Sequence, residues 1–132
     1  MEKRMLYTNG PTMRQCNELY DSTCAVLREL GVPAHLRGHA YLAEAVMLAV
    51  VQPDCLHHMT GKLYPAVAQK YRTTPACAER AMRHAVETAW LRGDSDVLTA
   101  YFGNSIDPGK GKPANSEFIA RVSGAVSQGV AA

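Results

Sequence analysis

The sequence predicts an all-α protein, a compact bundle of about six or seven helices that contains a helix-turn-helix. Apolar residues recur at helical spacing through most of the 132 residues, and glycine and proline fall between these segments. No segment shows the sustained apolar and polar alternation of a half-buried strand. A chain of this length forms one domain. We expect this domain over residues 13–128, after a flexible N-terminal extension of residues 1–12.

Three helices are predicted before the helix-turn-helix. The second, from His39 to Val51, is apolar on nearly every side, so we expect it at the centre of the bundle. A third helix is predicted from about Pro53 to Leu63, because proline suits a first turn. The first helix is expected to end at Gly31 and to bury one face. That face comprises Met13, Cys16, Tyr20, Thr23, Leu27 and Leu30.

The helix-turn-helix is predicted within residues 64–92 as a short helix, a tight turn and a longer helix. Pro65 separates the helix-turn-helix from the third helix and suits the first turn of the short helix. In the longer helix, Thr74 can accept hydrogen bonds from free amides, and Pro75 suits the first position, where no N–H is needed. We expect Gly93 to end this helix.

The longer helix of this motif has two distinct sides, because each residue turns the helix by about 100°. Small apolar residues share one side, and Ala68 of the short helix is expected to pack closely against Ala78 and Ala81. The turn holds Arg72, where glycine is frequent in this motif. The opposite side carries polar residues around a small one, namely Ala76, Glu79, Arg80, Arg83, His84 and Glu87.

Two more helices are predicted around a turn-rich loop near the C-terminus. Asp94 or Ser95 can cap a short helix that Gly103 ends. Residues 104–114, NSIDPGKGKPA, are too rich in glycine and proline to form regular structure. Ser116 is expected to cap the last helix. The apolar face of that helix comprises Phe118, Ile119, Val122 and Val126.

Positive charge is concentrated in the middle of the chain. The whole chain carries only +2, but residues 62–92 hold six basic and two acidic side chains, a net charge of +4 that leaves −2 for the rest. A polyanion responds to this local excess, because physiological salt screens charges beyond roughly 8 Å. Two interpretations stay open at this point, a nucleic-acid site and a solvated helix face.

Cysteine usage favours a reducing environment. Cys16 and Cys24 lie eight residues apart on one predicted helix, about 12 Å along its axis, which is too far for a disulfide. Cys55, His57 and His58 cluster in sequence but lack a second ligand pair at zinc-site spacing. We interpret them as a partly buried thiol beside two surface histidines and expect no metal and no cofactor. A small metal sensor is the alternative.

Other functional classes have little support. No apolar run approaches the roughly 20 residues that a bilayer requires, and the first ten residues lack the apolar core of a signal peptide, so we expect a cytoplasmic protein without membrane contact. The segment GKGKP matches neither a P-loop nor a dinucleotide fingerprint. Cys77 and His84 lie about 10 Å apart along one helix and could not share a proton. We therefore expect no enzymatic activity.

Three segments match a known family in the same order. They are LGVPAHLRGHAYLAEAV, LYPAVAQKYRTTPACAERAMRHAVETAWLRG and GKGKPANSEFIA. Over about Cys16 to Val126 they resemble the C-terminal effector domain of the stage zero sporulation master regulator of endospore-forming bacteria. The resemblance implies an all-helical domain that binds promoter elements in double-stranded DNA, commonly as a homodimer or tandem dimer. It also implies contact with the RNA polymerase sigma factor.

The resemblance identifies the helix from Pro75 as a recognition helix, which we expect to enter the major groove. Carried over by position, the residues that would face the bases are Glu79, Arg80, Arg83 and His84. We predict phosphate contacts from Lys70, Arg72, Thr73, Thr74, Lys110 and Lys112, although a solvated turn is an equal alternative for the two loop lysines. The family's sigma-factor segment falls on Asp96 to Gly103, and the contact residues would be Asp96, Val97, Leu98, Tyr101 and Phe102.

Two departures limit what the resemblance implies. Residues 1–13 cannot form the family's N-terminal phosphoacceptor receiver domain, so phosphorylation-driven dimerisation is not carried over to this chain. Ala76 and Cys77 stand where the family tends to have small polar or basic residues, which is expected to retune phosphate contacts. The alternative function is a receiver-less protein-interaction module that modulates a full-length regulator or a sigma factor.

Overall fold

The computed structural model describes residues 12–103 and 111–131. Its six α-helices are α1 (Met13–Glu29), α2 (Arg37–Val51), α3 (Tyr64–Lys70), α4 (Pro75–Arg92), α5 (Ser95–Phe102) and α6 (Asn115–Ala131). A 3-10 helix, Pro53–His57, and a π-helix, Met59–Leu63, connect α2 to α3. The described ranges contain no β-strand, which confirms the predicted all-α fold. None of the described helices is both long and apolar enough to span a membrane.

Helix α2 lies at the centre of the bundle, as its composition predicts. It packs against α1, α3, α4 and α6. Leu42, Ala43, Ala45 and Val46 on this helix are completely buried. A helix that is apolar on nearly every side can be covered on several sides at once, so its neighbours are held in fixed positions around it.

Gly38 brings the backbones of α2 and α4 into direct contact. A Cβ atom at this position would lie 2.2 Å from the carbonyl oxygen of Ala81 and 2.7 Å from the Cβ of Ala85. Both distances are shorter than any van der Waals contact, so every residue other than glycine would push the helices apart. The first turn of α2 therefore sets the position of α4 in the bundle.

The N-terminal half of α1 is more exposed than the sequence predicts. Leu19, Thr23 and Leu27 are buried, but Met13 is 78% and Tyr20 39% exposed, so the prediction of a buried face beginning at Met13 is wrong. Thr12 caps the helix by accepting a hydrogen bond from the Gln15 amide, and the Gln15 side-chain Oε1 accepts one from the Thr12 amide. Local capping thus holds the first turn, while burial begins at Leu19.

The connection between α2 and α3 differs from the single helix predicted for Pro53–Leu63. The chain leaves helical geometry at His58 and then forms a π turn that continues without a break into α3. Pro65 explains the wide turn, because it has no N–H for the carbonyl of Gly61 and its ring would clash with that carbonyl in a regular α-helix. Proline therefore widens the helix here instead of separating two helices.

An aromatic cluster joins the three C-terminal helices. The ring centroid of Trp90 in α4 lies 4.9 Å from that of Phe102 in α5 and 6.3 Å from that of Phe118 in α6. These edge-on contacts add to the stabilisation from burial. Helix α6 begins at Asn115, two residues earlier than a cap at Ser116 predicts, so Ser116 lies within its first turn and is not its cap.

Candidate nucleic-acid interface

The turn between α3 and α4 is built on an unusual backbone conformation. Arg72 has a φ of 56°, in the left-handed region that favours glycine, and it occupies the turn position where glycine is frequent in this motif. The Thr73 amide then donates to the carbonyl of Ala68 at 2.9 Å. Thr74 accepts a hydrogen bond from the Cys77 amide at 3.1 Å, which confirms it as the cap of α4.

The two sides of α4 separate as the sequence predicts. Its inner side buries Ala78, Met82, Ala85, Val86 and Ala89. On the outer side Glu79 is half-buried, whereas Ala76, Arg80, Arg83, His84 and Glu87 are exposed. Because the inner side is held by the core, the outer side chains project from a fixed backbone.

The two arginines on the outer side differ in their partners. The Arg80 guanidinium contacts the Cys77 sulfur at 3.7 Å and has no carboxylate partner among the described residues. The Arg83 Nε lies 3.3 Å from a carboxylate oxygen of Glu79. Exposed pairs of this kind contribute about 0–1 kcal/mol, so Arg83 can exchange this partner for another anion at little cost.

Lys112 lies beside the outer side of α4, although 29 residues separate it from Arg83 in the sequence. It lines a cleft of about 210 Å³ that also includes Tyr64, Arg83 and Asn115, and a neighbouring cleft of about 330 Å³ with Arg80, Arg83 and His84. The structure therefore brings one predicted phosphate contact next to the predicted base-reading residues. Lys110, the other loop lysine, lies outside the described residues.

A buried asparagine attaches the segment that follows Lys112 to the helix-turn-helix. The Asn115 side-chain amide donates to the Tyr64 hydroxyl at 3.1 Å and to the Glu79 carbonyl oxygen at 3.2 Å. Asn115 is only 7% exposed, so both hydrogen bonds are shielded from water. This contact holds the start of α6 against both helices of the motif.

The remaining predicted phosphate contacts are not equally available. The Lys70 ammonium donates to a Glu44 carboxylate oxygen at 2.8 Å. This hydrogen bond raises the pKa of Lys70 above its ordinary value. Arg72 and Thr74 are exposed and Thr73 is half-buried, all within the turn. Arg72 thus has no carboxylate partner among the described residues, whereas Lys70 is already paired with Glu44.

Two cysteines have opposite environments. Cys77, in the first turn of α4, is exposed, and hydrogen bonds with Thr74 and then Thr73 lower the pKa of its thiol. Cys55 is buried, and this burial raises the pKa of its thiol. Among the described residues, no group of three or more histidine, cysteine or acidic side chains is placed to bind a metal.

The predicted sigma-factor residues on α5 do not share one surface. Leu98 and Phe102 are 5% and 1% exposed and belong to the core, which leaves them unable to contact a partner from this position. Val97 and Tyr101 are half-buried, and Asp96 is exposed. The Tyr101 hydroxyl donates to Glu29 of α1 at 2.8 Å.

A further cleft beside α4 involves residues that the sequence analysis did not identify. The loop between α1 and α2 contributes Pro33, His35 and Leu36, and α4 contributes His84, Leu91 and Arg92. Its volume is about 340 Å³. Helical spacing relates Arg92 to His84, which lies eight residues earlier, but nothing in the sequence places the loop beside them.

The chain matches a known protein family. The model of the family described as Sporulation initiation factor Spo0A C terminal matches residues 23–126. This range contains α2 to α5, the complete helix-turn-helix, Lys112 and most of α6.

Proposed function

The chain belongs to the family of Spo0A C-terminal domains, and we therefore propose that α4 reads a short sequence in the major groove of double-stranded DNA. Members of this family are DNA-binding regulatory domains of sporulation initiation and not enzymes. The observation that carries the proposal is the exposed cationic side of α4, which the core holds in place. A promoter-binding role places the protein in the cytoplasm, at the chromosome.

The environments of the side chains suggest separate roles within the groove. Within the described part of the chain Arg80 has no carboxylate partner, so its guanidinium can donate two hydrogen bonds to a guanine. Glu79 can accept a hydrogen bond from a cytosine amino group, which would release its partner Arg83 to a phosphate or a second base. His84, one turn after Arg80, lies beside the same base steps.

Phosphate contacts would come from both sides of this helix. Arg72, Thr73 and Thr74 lie in the turn before α4, and Lys112 lies beside its outer side. We place Lys70 last among these contacts, because binding DNA would require it to leave Glu44. Such contacts weaken with salt because each one releases counterions from the DNA.

The proposal is tested by comparing Arg80→Ala with Lys112→Ala on two duplexes, one selected from a random pool by the wild-type chain and one with the same bases scrambled. Fluorescence anisotropy measures the dissociation constant at several salt concentrations. We expect Arg80→Ala to lose roughly 1–3 kcal/mol on the selected duplex and little on the scrambled one. Lys112→Ala should weaken both alike and reduce the salt slope by about 1.

Arg14→Ala is a matched control, because it removes one exposed positive charge from α1 and lines none of the three clefts. Equal losses on both duplexes for Arg80→Ala would contradict base reading. Negligible binding of the wild-type chain at every salt concentration would contradict DNA binding itself. That result would favour the alternative, a protein-interaction module that modulates a full-length regulator or a sigma factor.

We also propose a sigma-factor contact at the exposed start of α5. Asp96 is the exposed member of the predicted set, and Val97 and Tyr101 are half-buried beside it. An Asp96→Lys variant should reduce transcription from a target promoter in a reconstituted assay without changing DNA affinity. Unchanged transcription at full promoter occupancy would contradict the contact.

Pairing of two copies on adjacent DNA sites stays a prediction for this chain. Titration of duplexes with one and two selected sites would test it, because pairing makes the second copy bind more tightly than the first. Equal, independent affinities on both duplexes would contradict it.

A further inference from the structure

The cleft formed by the α1–α2 loop and the C-terminal half of α4 lies across the recognition helix from Lys112. His84 lines this cleft and also the cleft of about 330 Å³ that Lys112 lines, which we call the Lys112 cleft. At about 100° per residue, Arg83 and Glu87 fall on one side of His84, and Thr88 and Arg92 fall on the other. Two clefts therefore flank one helix, with His84 on the ridge between them.

A helix inside a major groove meets two phosphate backbones. The groove is about 12 Å wide, and a helix with its side chains is about 10–12 Å across, so one DNA strand passes along each side of the helix. The Lys112 cleft can take only one of these strands. The second strand must pass along the side of α4 that carries Thr88 and Arg92.

The lining of this second cleft suits a sugar-phosphate chain. His35 and Arg92 are exposed hydrogen-bond donors that contact phosphate well, and none of the described residues that line the cleft is acidic. Pro33, Leu36 and Leu91 offer apolar surface to the carbon atoms of deoxyribose. Leu91 is 81% exposed, which a covering strand would explain.

We propose that this cleft binds the phosphate backbone of the DNA strand opposite the one that Lys112 contacts, with Arg92 and His35 as the contacting residues. This inference rests on the proposed function, the insertion of α4 into a major groove. Contacts to both strands would fix the tilt of α4 in the groove, and Arg80 would then meet the same base pair in every complex. His35 extends the DNA-binding surface to a loop that lies outside the helix-turn-helix.

The test measures anisotropy of the selected and scrambled duplexes with Arg92→Ala, His35→Ala and the Arg14→Ala control across salt concentrations. Each lost phosphate contact lowers the slope of log K against log salt by about 0.9. We expect Arg92→Ala to lose about one unit of slope and to weaken both duplexes by the same factor. His35→Ala should also weaken both by one common factor, and Arg14→Ala should keep the wild-type slope.

Arg92 also lies in the last turn of α4, where a positive charge favours the helix. Urea unfolding of each variant therefore accompanies the binding measurement. His35 lies in a loop and is free of this effect, so it tests the cleft independently.

The outcomes separate the two proposals. If the wild-type chain binds DNA and Arg80→Ala loses sequence preference, but Arg92→Ala and His35→Ala keep the wild-type slope and affinity, the cleft proposal alone is overturned. If the wild-type chain shows no salt-dependent binding, both fail. A Leu91→Ser variant that loses affinity only on duplexes with two adjacent sites would assign the cleft to a second copy of the chain and overturn the strand assignment.

Discussion

Arg72 combines a strained backbone with a charge at the proposed interface. A side chain in the left-handed region costs about 1–2 kcal/mol relative to the right-handed one, and glycine does not carry this cost. Glycine, however, loses about 0.5–1 kcal/mol more conformational entropy on folding. We infer that the chain tolerates the difference because the turn presents a cation directly before the recognition helix.

The variant Arg72→Gly should separate these two roles. We expect the free energy of unfolding to rise by up to about 1 kcal/mol, measured by urea denaturation. The salt slope of DNA binding should fall by about 1, because one phosphate contact is lost. Arg72→Ala is the control, since it removes the same charge but keeps the strain. A glycine variant less stable than the alanine variant by about 0.5–1 kcal/mol, the entropy cost of glycine alone, would show that the turn stores no strain.

His39 makes the stability of the bundle depend on pH. It is 8% exposed in the first turn of α2, and its Nε2 has no hydrogen-bond partner among the described residues. Burial and then the charge of Arg28 lower the pKa of His39 below its ordinary 6.5. As the pH falls, His39 is therefore protonated in the unfolded chain before it is protonated in the native chain.

The stability that neutral His39 contributes should be complete above about pH 6.5 and lost as the pH falls through the pKa of the folded state. Urea unfolding of the wild-type chain and of His39→Leu between pH 8 and pH 5 measures it. We expect the wild-type chain to lose stability relative to the variant by at most about 1.4 kcal/mol per pH unit. Parallel curves would exclude His39 as the source.

At the scale of the elements, helix boundaries were predictable where a side chain acts on its own neighbours. Thr74 and Pro75 begin α4 by capping and by a preset φ angle, which are properties that the sequence shows directly. The π turn before α3 was not predictable in this way. It depends on the chain continuing as a helix through Pro65, and tertiary packing decides that.

The close contact between α2 and α4 could not be predicted from the sequence either. Ala68 and Ala78 are buried, as predicted for the contact of α3 with α4, but the contact that sets the position of α4 comes from Gly38 of α2. A glycine in the first turn of a helix has many explanations when only the sequence is known. The distance to Ala81 supplies the reason.

Gly38→Ala should destabilise the bundle by about 1–3 kcal/mol, because the added methyl group meets backbone atoms that cannot move aside. Gly124→Ala in α6 is the matched control. A Cβ there meets no atom of the described residues within 4 Å, so the better helix propensity of alanine should raise stability by about 0.5–1 kcal/mol. Urea unfolding compares the two. A stabilising effect of Gly38→Ala would contradict the close approach of α2 and α4.

At the scale of the whole molecule, the candidate interface combines parts that are distant in sequence. Asn115 lies 51 residues from Tyr64 and 36 from Glu79, and it hydrogen-bonds to both. Sequence reasoning identified the cationic side of α4 and Lys112 separately, because periodicity and charge are local properties. It could not join them or identify His35, since only the folded bundle brings these residues to one surface.

Cys77 can report directly whether DNA covers the start of α4. Its thiol is exposed in the first turn of α4, while Cys16 and Cys24 are half-buried on α1 and serve as internal references in the same chain. Alkylation rates for each cysteine are measured by peptide mass spectrometry with and without saturating selected duplex. We expect DNA to slow the alkylation of Cys77 and to leave the alkylation rates of Cys16 and Cys24 unchanged. An unchanged rate at Cys77 in the saturated complex would contradict the insertion of α4 into the groove.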